Sequence, residues 1–153
     1  MRQLAGDRTL EGKVAIITGA GGGLGRCHAL ELARHGAKVV VNDLAEDACA
    51  QVVDEIRNGG GEATAAAGSV TDEQAVAAMV AAAIDGWGRV DILVNNAGIL
   101  RDKSFAKMDI ADFREVVDVH LMGAAICTKA VWGPMREQGH GRIVMTTSSS
   151  GLY

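Results

Sequence analysis

The segment Thr18-Gly19-Ala20-Gly21-Gly22-Gly23-Leu24-Gly25 carries the densest chemical signal in the chain. It follows the apolar run Val14–Ile17 and opens a helical pattern. Glycines let a backbone approach a pyrophosphate closely, and a helix N-terminus adds free N–H groups with a partial positive charge. Asp43 follows about 20 residues later, behind Val39-Val40-Val41-Asn42, at the offset where an acidic side chain accepts hydrogen bonds from a ribose 2′-OH. Asp43 could also serve simply as a helix N-cap. No Arg or Lys stands in the turn or beside Asp43 to pair with a 2′-phosphate. Together these residues read as a dinucleotide site that prefers NAD over NADP.

Two further groups of polar residues close apolar runs. Asn95-Asn96-Ala97-Gly98 follows Asp91–Val94, and Ser148-Ser149-Ser150 follows Arg142–Thr147. Open α/β sheets bind ligands at the carboxyl ends of their strands. His120 lies in a long helical stretch, where a lone histidine is also compatible with an ordinary, partly buried side chain. His28, His35 and His140 show no partner spacing and read as surface or structural residues. Cys27, Cys49 and Cys127 form neither an even disulfide set nor a CxxC, which points to reduced thiols and a cytoplasmic location. No grouping has metal-ligand spacing.

The elements that must position these groups alternate between the two periods. Residues 1–12 read as a polar lead-in and 13–153 as one domain. Strands are expected at Lys13–Thr18, Lys38–Asn42, Glu62–Ala67, Asp91–Val94 and Arg142–Thr147. Helices are expected at Gly23–His35, Glu46–Arg57, Asp72–Ile84 and Ile110–Glu137. Thr71 is the expected cap of the third helix, with Gln74 as its reciprocal partner and Gly86-Trp87-Gly88 as the break. Gly123 and Pro134 are expected bend points in the last helix. Strands alternating with helices make right-handed βαβ units, so the fold class is α/β. The expected architecture is a Rossmann-like, doubly wound parallel sheet of order 3-2-1-4-5.

The glycine spacing fits T-G-x-x-x-G-x-G rather than G-x-G-x-x-G. That turn, N-N-A-G after the fourth strand and the serine-rich end of the fifth together resemble the short-chain dehydrogenase/reductase family, from Gly12 to Tyr153. The resemblance implies that Gly19, Gly23, Leu24 and Gly25 line the pyrophosphate and that Asp43 holds the adenosine ribose. It implies that Asn96, Ala97 and Gly98 pack beside the cofactor. Ser69, before Val70, stands where the family often has an Asp that touches adenine. The family's spacing from Met145 selects Ser148 as the serine that hydrogen-bonds the substrate carbonyl. His120 stands where most members have an Asn that supports a proton relay, a role a histidine can keep because it both donates and accepts.

Gly98-Ile99-Leu100-Arg101-Asp102-Lys103-Ser104-Phe105 and Val119-His120-Leu121 are similar to one branch of that family. It comprises the 3-hydroxyacyl-CoA dehydrogenase domains of peroxisomal multifunctional enzymes and their bacterial single-domain relatives. The implied reaction moves hydride between NAD and a secondary alcohol or ketone, with a 3-hydroxyacyl or 3-oxoacyl thioester as small-molecule substrate. A hydroxysteroid substrate and a catalytically silent NAD-binding unit are the alternatives. The family also implies a homodimer or homotetramer. Its Tyr and Lys, four residues apart, normally follow the serine by about 13 residues. Tyr153 is too near Ser148 to be that tyrosine, so the chain reads as part of a longer enzyme lacking the usual C-terminal strands.

Composition fits a single-core domain. The 153 residues are 48% hydrophobic with a net charge of −4, which gives no general basic footprint for nucleic acid. The start lacks the apolar core of a signal peptide. No uninterrupted apolar run approaches the ~18 residues of a membrane span, so no membrane partner is expected.

Overall fold

A computed structural model describes residues 9–148. The expectations about the start of the lead-in, and those about Ser149, Ser150 and Tyr153, lie outside the described residues. The elements run β1 (Val14–Ile17), α1 (Gly23–Arg34), β2 (Lys38–Asp43), α2 (Glu46–Asn58), β3 (Ala63–Ala67), α3 (Glu73–Trp87) and β4 (Ile92–Asn95). A short 3-10 turn (Phe105–Lys107) precedes α4 (Ile110–Val117), a π-helical segment (Asp118–Met122), α5 (Gly123–Glu137) and β5 (Arg142–Met145).

All pairings are parallel and the strand order is 3-2-1-4-5, as the alternating pattern predicts. Register pairs Ile16 with Val40 on one side and with Leu93 on the other. Successive side chains in a strand point to opposite faces, so the apolar runs must feed two cores. Val14, Ile16, Val40 and Leu93 pack with Val76, Met79, Val80 and Ala83 of α3 and Cys127, Val131 and Met135 of α5. Ala15, Ile17, Val39 and Val41 pack with Ala29 of α1 and Cys49, Val52, Val53 and Ile56 of α2.

Three local expectations need correction. Asp72, not Thr71, caps α3, accepting from Gln74 N–H (2.8 Å) and Ala75 N–H (3.2 Å). A carboxylate accepts these bonds better than a hydroxyl, and the Thr71 hydroxyl is instead 2.8 Å from Ser69 Oγ. α3 also runs through Gly86 and ends only at Gly88, whose φ of 76° is the left-handed geometry of a helix end. The stretch Ile110–Glu137 is not one regular helix but two, joined by the π segment. Pro134 stays inside α5.

Ile110–Glu137 spans 28 residues and holds an 18-residue window of mean hydropathy 1.2, which by length and composition is long and apolar enough to cross a membrane. In this fold it covers the sheet, with Cys127, Val131 and Met135 in the core.

One buried carboxylate locks the amino end of the parallel sheet, just ahead of β4. Asp91 is fully buried and accepts from Arg89 Nε (2.7 Å), Arg89 Nη2 (2.6 Å) and Val14 N–H (2.9 Å), with Lys13 Nζ at 3.5 Å. Burial opposes its ionisation, but the Arg89 guanidinium, the Val14 N–H and Lys13 outweigh that and hold Asp91 below the usual aspartate range. A carboxyl with a lowered folded-state pKa stabilises the fold fully above its unfolded value, and the contribution is lost as pH falls through the lowered one. Asp91→Asn is therefore expected to destabilise the chain by about 2–3 kcal/mol at neutral pH, and the deficit should shrink below about pH 4. Urea unfolding at two pH values measures it, and an unchanged midpoint at pH 7 would refute the lock.

Candidate functional site

β1, β2 and β4 end together at the carboxyl edge of the sheet, and their loops meet there. Thr18 joins two of them. Its buried hydroxyl accepts from Asn96 N–H (3.0 Å) and Ala97 N–H (3.0 Å) and donates to Val94 O (3.3 Å). Asn96 returns the contact, its Nδ2 donating to Thr18 O (3.0 Å) and Gly19 O (3.2 Å). Thus the side chain of Asn96 braces the glycine turn, while Ala97 and Gly98 form the cleft wall. Pattern reading included Thr18 in the glycine motif but gave it no role, because a threonine ending a strand looks like any β-branched strand residue.

The turn itself is compressed. Gly19 has φ of 62°, and a Cβ there would lie 2.9 Å from Ala97 Cα. A Cβ on Gly25 would lie 2.1 Å from Gly19 O. Gly25 is buried in the first turn of α1, directly behind the Gly19 peptide, whereas Gly22, Gly23 and Leu24 are exposed. A Cβ on Gly22 or Gly23 would meet nothing within 4 Å, so backbone is what this face presents.

α1 has Gly22 at its N-cap position, with no side-chain cap and no acidic residue in its first turn. α3 and α4 are instead capped by Asp72 and Asp109. The N-terminal N–H groups and dipole of α1 are left for an anion, and the residues present fit a pyrophosphate.

Asp43 ends β2 and faces this turn. Its Oδ2 accepts from Gly21 N–H (3.0 Å) and its Oδ1 from Leu44 N–H (2.8 Å). A Cβ on Gly21 would lie 2.9 Å from Asp43 Cγ and 2.8 Å from Ala48 Cβ, so the closeness of turn and carboxylate depends on that glycine. The buried Cys49 thiol sits beneath, 3.9 Å from Asp43 O, and burial followed by the Asp43 charge raises its pKa.

Two adjoining clefts open here. The first, about 450 Å³, is lined by Gly19, Asn42, Asp43, Leu44, Gly68, Ser69, Val70, Ala97, Gly98, Ile99 and Val119. Ser69 accepts Thr71 N–H (3.2 Å), and no Arg or Lys stands among these lining residues. The second, about 460 Å³, lies between the end of β5 and the π segment, and its wall includes Asn95, Val119, His120, Gly123, Thr146 and Thr147. Ser148 follows Thr147 directly and is exposed.

His120 does not stand free in that second cleft. Its Nε2 lies 3.0 Å from Ile99 N and 2.9 Å from Ile99 O. A Cβ on Gly98 would fall 2.5 Å from His120 Cε1, so the imidazole occupies the space above that glycine. Among the described residues no group of His, Cys, Asp and Glu is arranged to hold a metal ion.

Residues 13–153 match the family model described as short chain dehydrogenase. The chain is 52% identical over 157 residues to the peroxisomal multifunctional enzyme type 2 of Drosophila melanogaster, covering 97% of this chain and 26% of that protein. It is 42% identical over 144 residues to a 3-oxoacyl-[acyl-carrier-protein] reductase of Synechocystis sp., covering 94% of this chain and 58% of the relative. A solved 7 alpha-hydroxysteroid dehydrogenase complexed with NADH and 7-oxo glycochenodeoxycholic acid superposes with a TM-score of 0.91. It is 41% identical, with 96% of this chain and 57% of that one covered. The chain thus spans between about a quarter and somewhat over half of these relatives. The T-G-x-x-x-G-x-G turn, the braced N-N-A-G loop and the family match over 13–153 together show that this chain belongs to the short-chain dehydrogenase family.

Proposed function

We propose that this chain forms the NAD-binding part of an oxidoreductase acting on a secondary alcohol or ketone, with a 3-hydroxyacyl or 3-oxoacyl thioester as substrate. The observation that carries the nucleotide reading is the uncapped start of α1 behind a glycine turn whose Gly21 N–H bonds the Asp43 carboxylate at the edge of the first cleft. Gly19, Gly23, Leu24 and Gly25 form the pyrophosphate cradle, and the Asp43 carboxylate takes the ribose hydroxyls. Ser69 and Val70 flank the adenine end, and Ala97 and Gly98 the nicotinamide end, with Asn96 bracing the glycine turn beside the cofactor. Bound nicotinamide supplies the hydride chemistry. Ser148 donates to the substrate carbonyl, and His120 serves the proton path. The acyl-thioester class rests on the multifunctional-enzyme and 3-oxoacyl-reductase relatives, while the hydroxysteroid dehydrogenase neighbour supports a steroid as the second reading.

NAD is favoured over NADP because a 2′-phosphate would meet the Asp43 charge with no cation lining the cleft. Asp43→Ala is expected to weaken NAD binding by about tenfold and NADP binding by much less, the worth of charge-assisted hydrogen bonds to one ribose. Calorimetric titration with both cofactors measures it, and equal losses would remove Asp43 from the ribose site. A silent wild-type titration would sink the nucleotide reading itself.

The α4–α5 stretch supports a homodimer or homotetramer. Only 17% of its apolar window is buried, and Phe113, Leu121, Met122 and Trp132 are exposed. Cys27, Cys49 and Cys127 are free thiols, which supports a reducing compartment such as the cytoplasm.

A further inference from the structure

The first cleft is ordered by the sheet beneath it. β1, β2 and β3 lie side by side, with Ile17 paired to Val41 and Asp43 to Ala67. The loop after β1 is the glycine turn, β2 ends in Asp43, and the loop after β3 is Gly68-Ser69-Val70. A dinucleotide with its pyrophosphate on the glycine turn and a ribose on Asp43 therefore brings its purine to this third loop. The loop is pinned from behind. Asn42, buried in β2, donates from Nδ2 to Ala66 O (2.8 Å) and Gly68 O (3.1 Å). Gly68 N–H donates to Asp43 O (2.9 Å), and Asp72 N–H to Ser69 O (3.2 Å).

Little at this end of the cleft tells one purine from another. Leu44, Val70 and Val119 line it with apolar surface, which packs on any purine face alike. Asn42 has spent its amide N–H groups, and Asp43 is turned to Gly21 N–H and Leu44 N–H. The Ser69 hydroxyl remains to meet the edge of the base. Its Oγ accepts from Thr71 N–H (3.2 Å) and lies 2.8 Å from Thr71 Oγ1. A hydroxyl has one proton and two lone pairs. When Thr71 donates to Ser69, both lone pairs of Ser69 are filled and its own proton is free to donate. When Ser69 donates to Thr71, one lone pair of Ser69 is left to accept. Two proton rotations exchange a donor for an acceptor, and no heavy atom moves.

We propose that the Ser69–Thr71 hydroxyl pair makes the cleft indifferent to the group at position 6 of the purine, so that a hypoxanthine dinucleotide binds as well as its adenine counterpart. Adenine carries an amino donor at that position, and a 6-oxo purine carries a carbonyl acceptor. A carboxylate in place of Ser69 would only accept, and would favour the amino group. The hydroxyl pair meets either. The inference rests on the nucleotide reading and adds which bases that site takes.

The test titrates this chain, Ser69→Ala and Ser69→Asp with NADH and with reduced nicotinamide hypoxanthine dinucleotide, while circular dichroism checks the fold. The two affinities of the wild type are expected to agree within about threefold, less than the worth of one hydrogen bond. Ser69→Ala should weaken both by about threefold to tenfold and leave their ratio unchanged. Ser69→Asp should turn the ratio towards NADH by about tenfold or more, because a carboxylate has no proton to give a carbonyl. A wild type that prefers NADH by about tenfold would overturn the proposal and leave the nucleotide reading standing. So would a Ser69→Ala variant that weakens neither ligand, or a Ser69→Asp variant with an unmoved ratio. Should Ser69→Asp fail to fold, the wild-type ratio and Ser69→Ala decide. A wild type that binds neither ligand removes the nucleotide reading and this inference with it.

Discussion

Gly25→Ala is expected to abolish measurable NADH binding while leaving a folded chain. The added Cβ would lie 2.1 Å from Gly19 O, 2.8 Å from Gly19 C and 2.6 Å from Asn96 Nδ2. Two of these are backbone atoms in a turn already held by Asn96 and Thr18, so no flexible side-chain end can move aside. Either the start of α1 backs away from β1 or the Gly19 peptide rotates. Both dismantle the turn proposed to hold the pyrophosphate. The cost to stability should be about 1–3 kcal/mol, the range for forcing a methyl into packed surroundings. Circular dichroism and calorimetry separate the two effects. A variant that keeps its helix content and binds NADH like the wild type would show that the turn is not the cofactor cradle. Gly22→Ala serves as the control for fold, since its Cβ would meet nothing within 4 Å.

Thr18→Val should cost more stability than any other single substitution at the cleft, about 2–4 kcal/mol. The side chains are nearly isosteric, so volume does not decide the outcome. Valine leaves the Asn96 and Ala97 N–H groups without their acceptor, and each buried donor left unpaired costs about 1–3 kcal/mol. For a chain of this size that lowers the melting temperature by about 5–15 °C. Thr18→Ser keeps the oxygen and should recover most of the loss. A valine variant melting within a degree or two of the wild type would mean that the hydroxyl does not hold β1 to the N-N-A-G loop. Because that loop forms part of the cleft wall, NADH affinity should fall with stability in valine and return in serine.

Pattern and chemistry made much of this legible. The continuous apolar runs at Val14–Ile17 and Val39–Val41 could only be strands buried on both faces, and the helices between them force parallel crossovers. The strand order follows from that alternation. The glycine turn and Asp43 could be paired from their offset, because a βαβ unit of fixed length returns its second strand beside the first. Other features depend on which groups meet in space. The pattern put the α3 cap at Thr71, and the extended backbone at Asp72, whose carboxylate accepts from Gln74 and Ala75 N–H, moved it one residue on. The break in Ile110–Glu137 was expected at Gly123 or Pro134, residues with known local effects. It came just ahead, at Asp118–Met122, a sequence with no breaker of its own.

The sequence by itself determined the α/β class, the sheet order and which loops meet at the ligand-binding edge, since these follow from periodicity and from the handedness of crossovers. It also brought the glycine turn and Asp43 to one place, because a βαβ unit returns its second strand beside the first. Only the tertiary structure decided how those residues divide the work. It turned Asn96 inward to brace the glycine turn, made Thr18 the link between β1 and β4, and set His120 against the Ile99 peptide. These contacts join residues far apart in the chain, about 21 positions for His120 and Ile99 and about 78 for Thr18 and Asn96. No local pattern encodes such a meeting, which arises when the packed sheet brings the ends of its strands together.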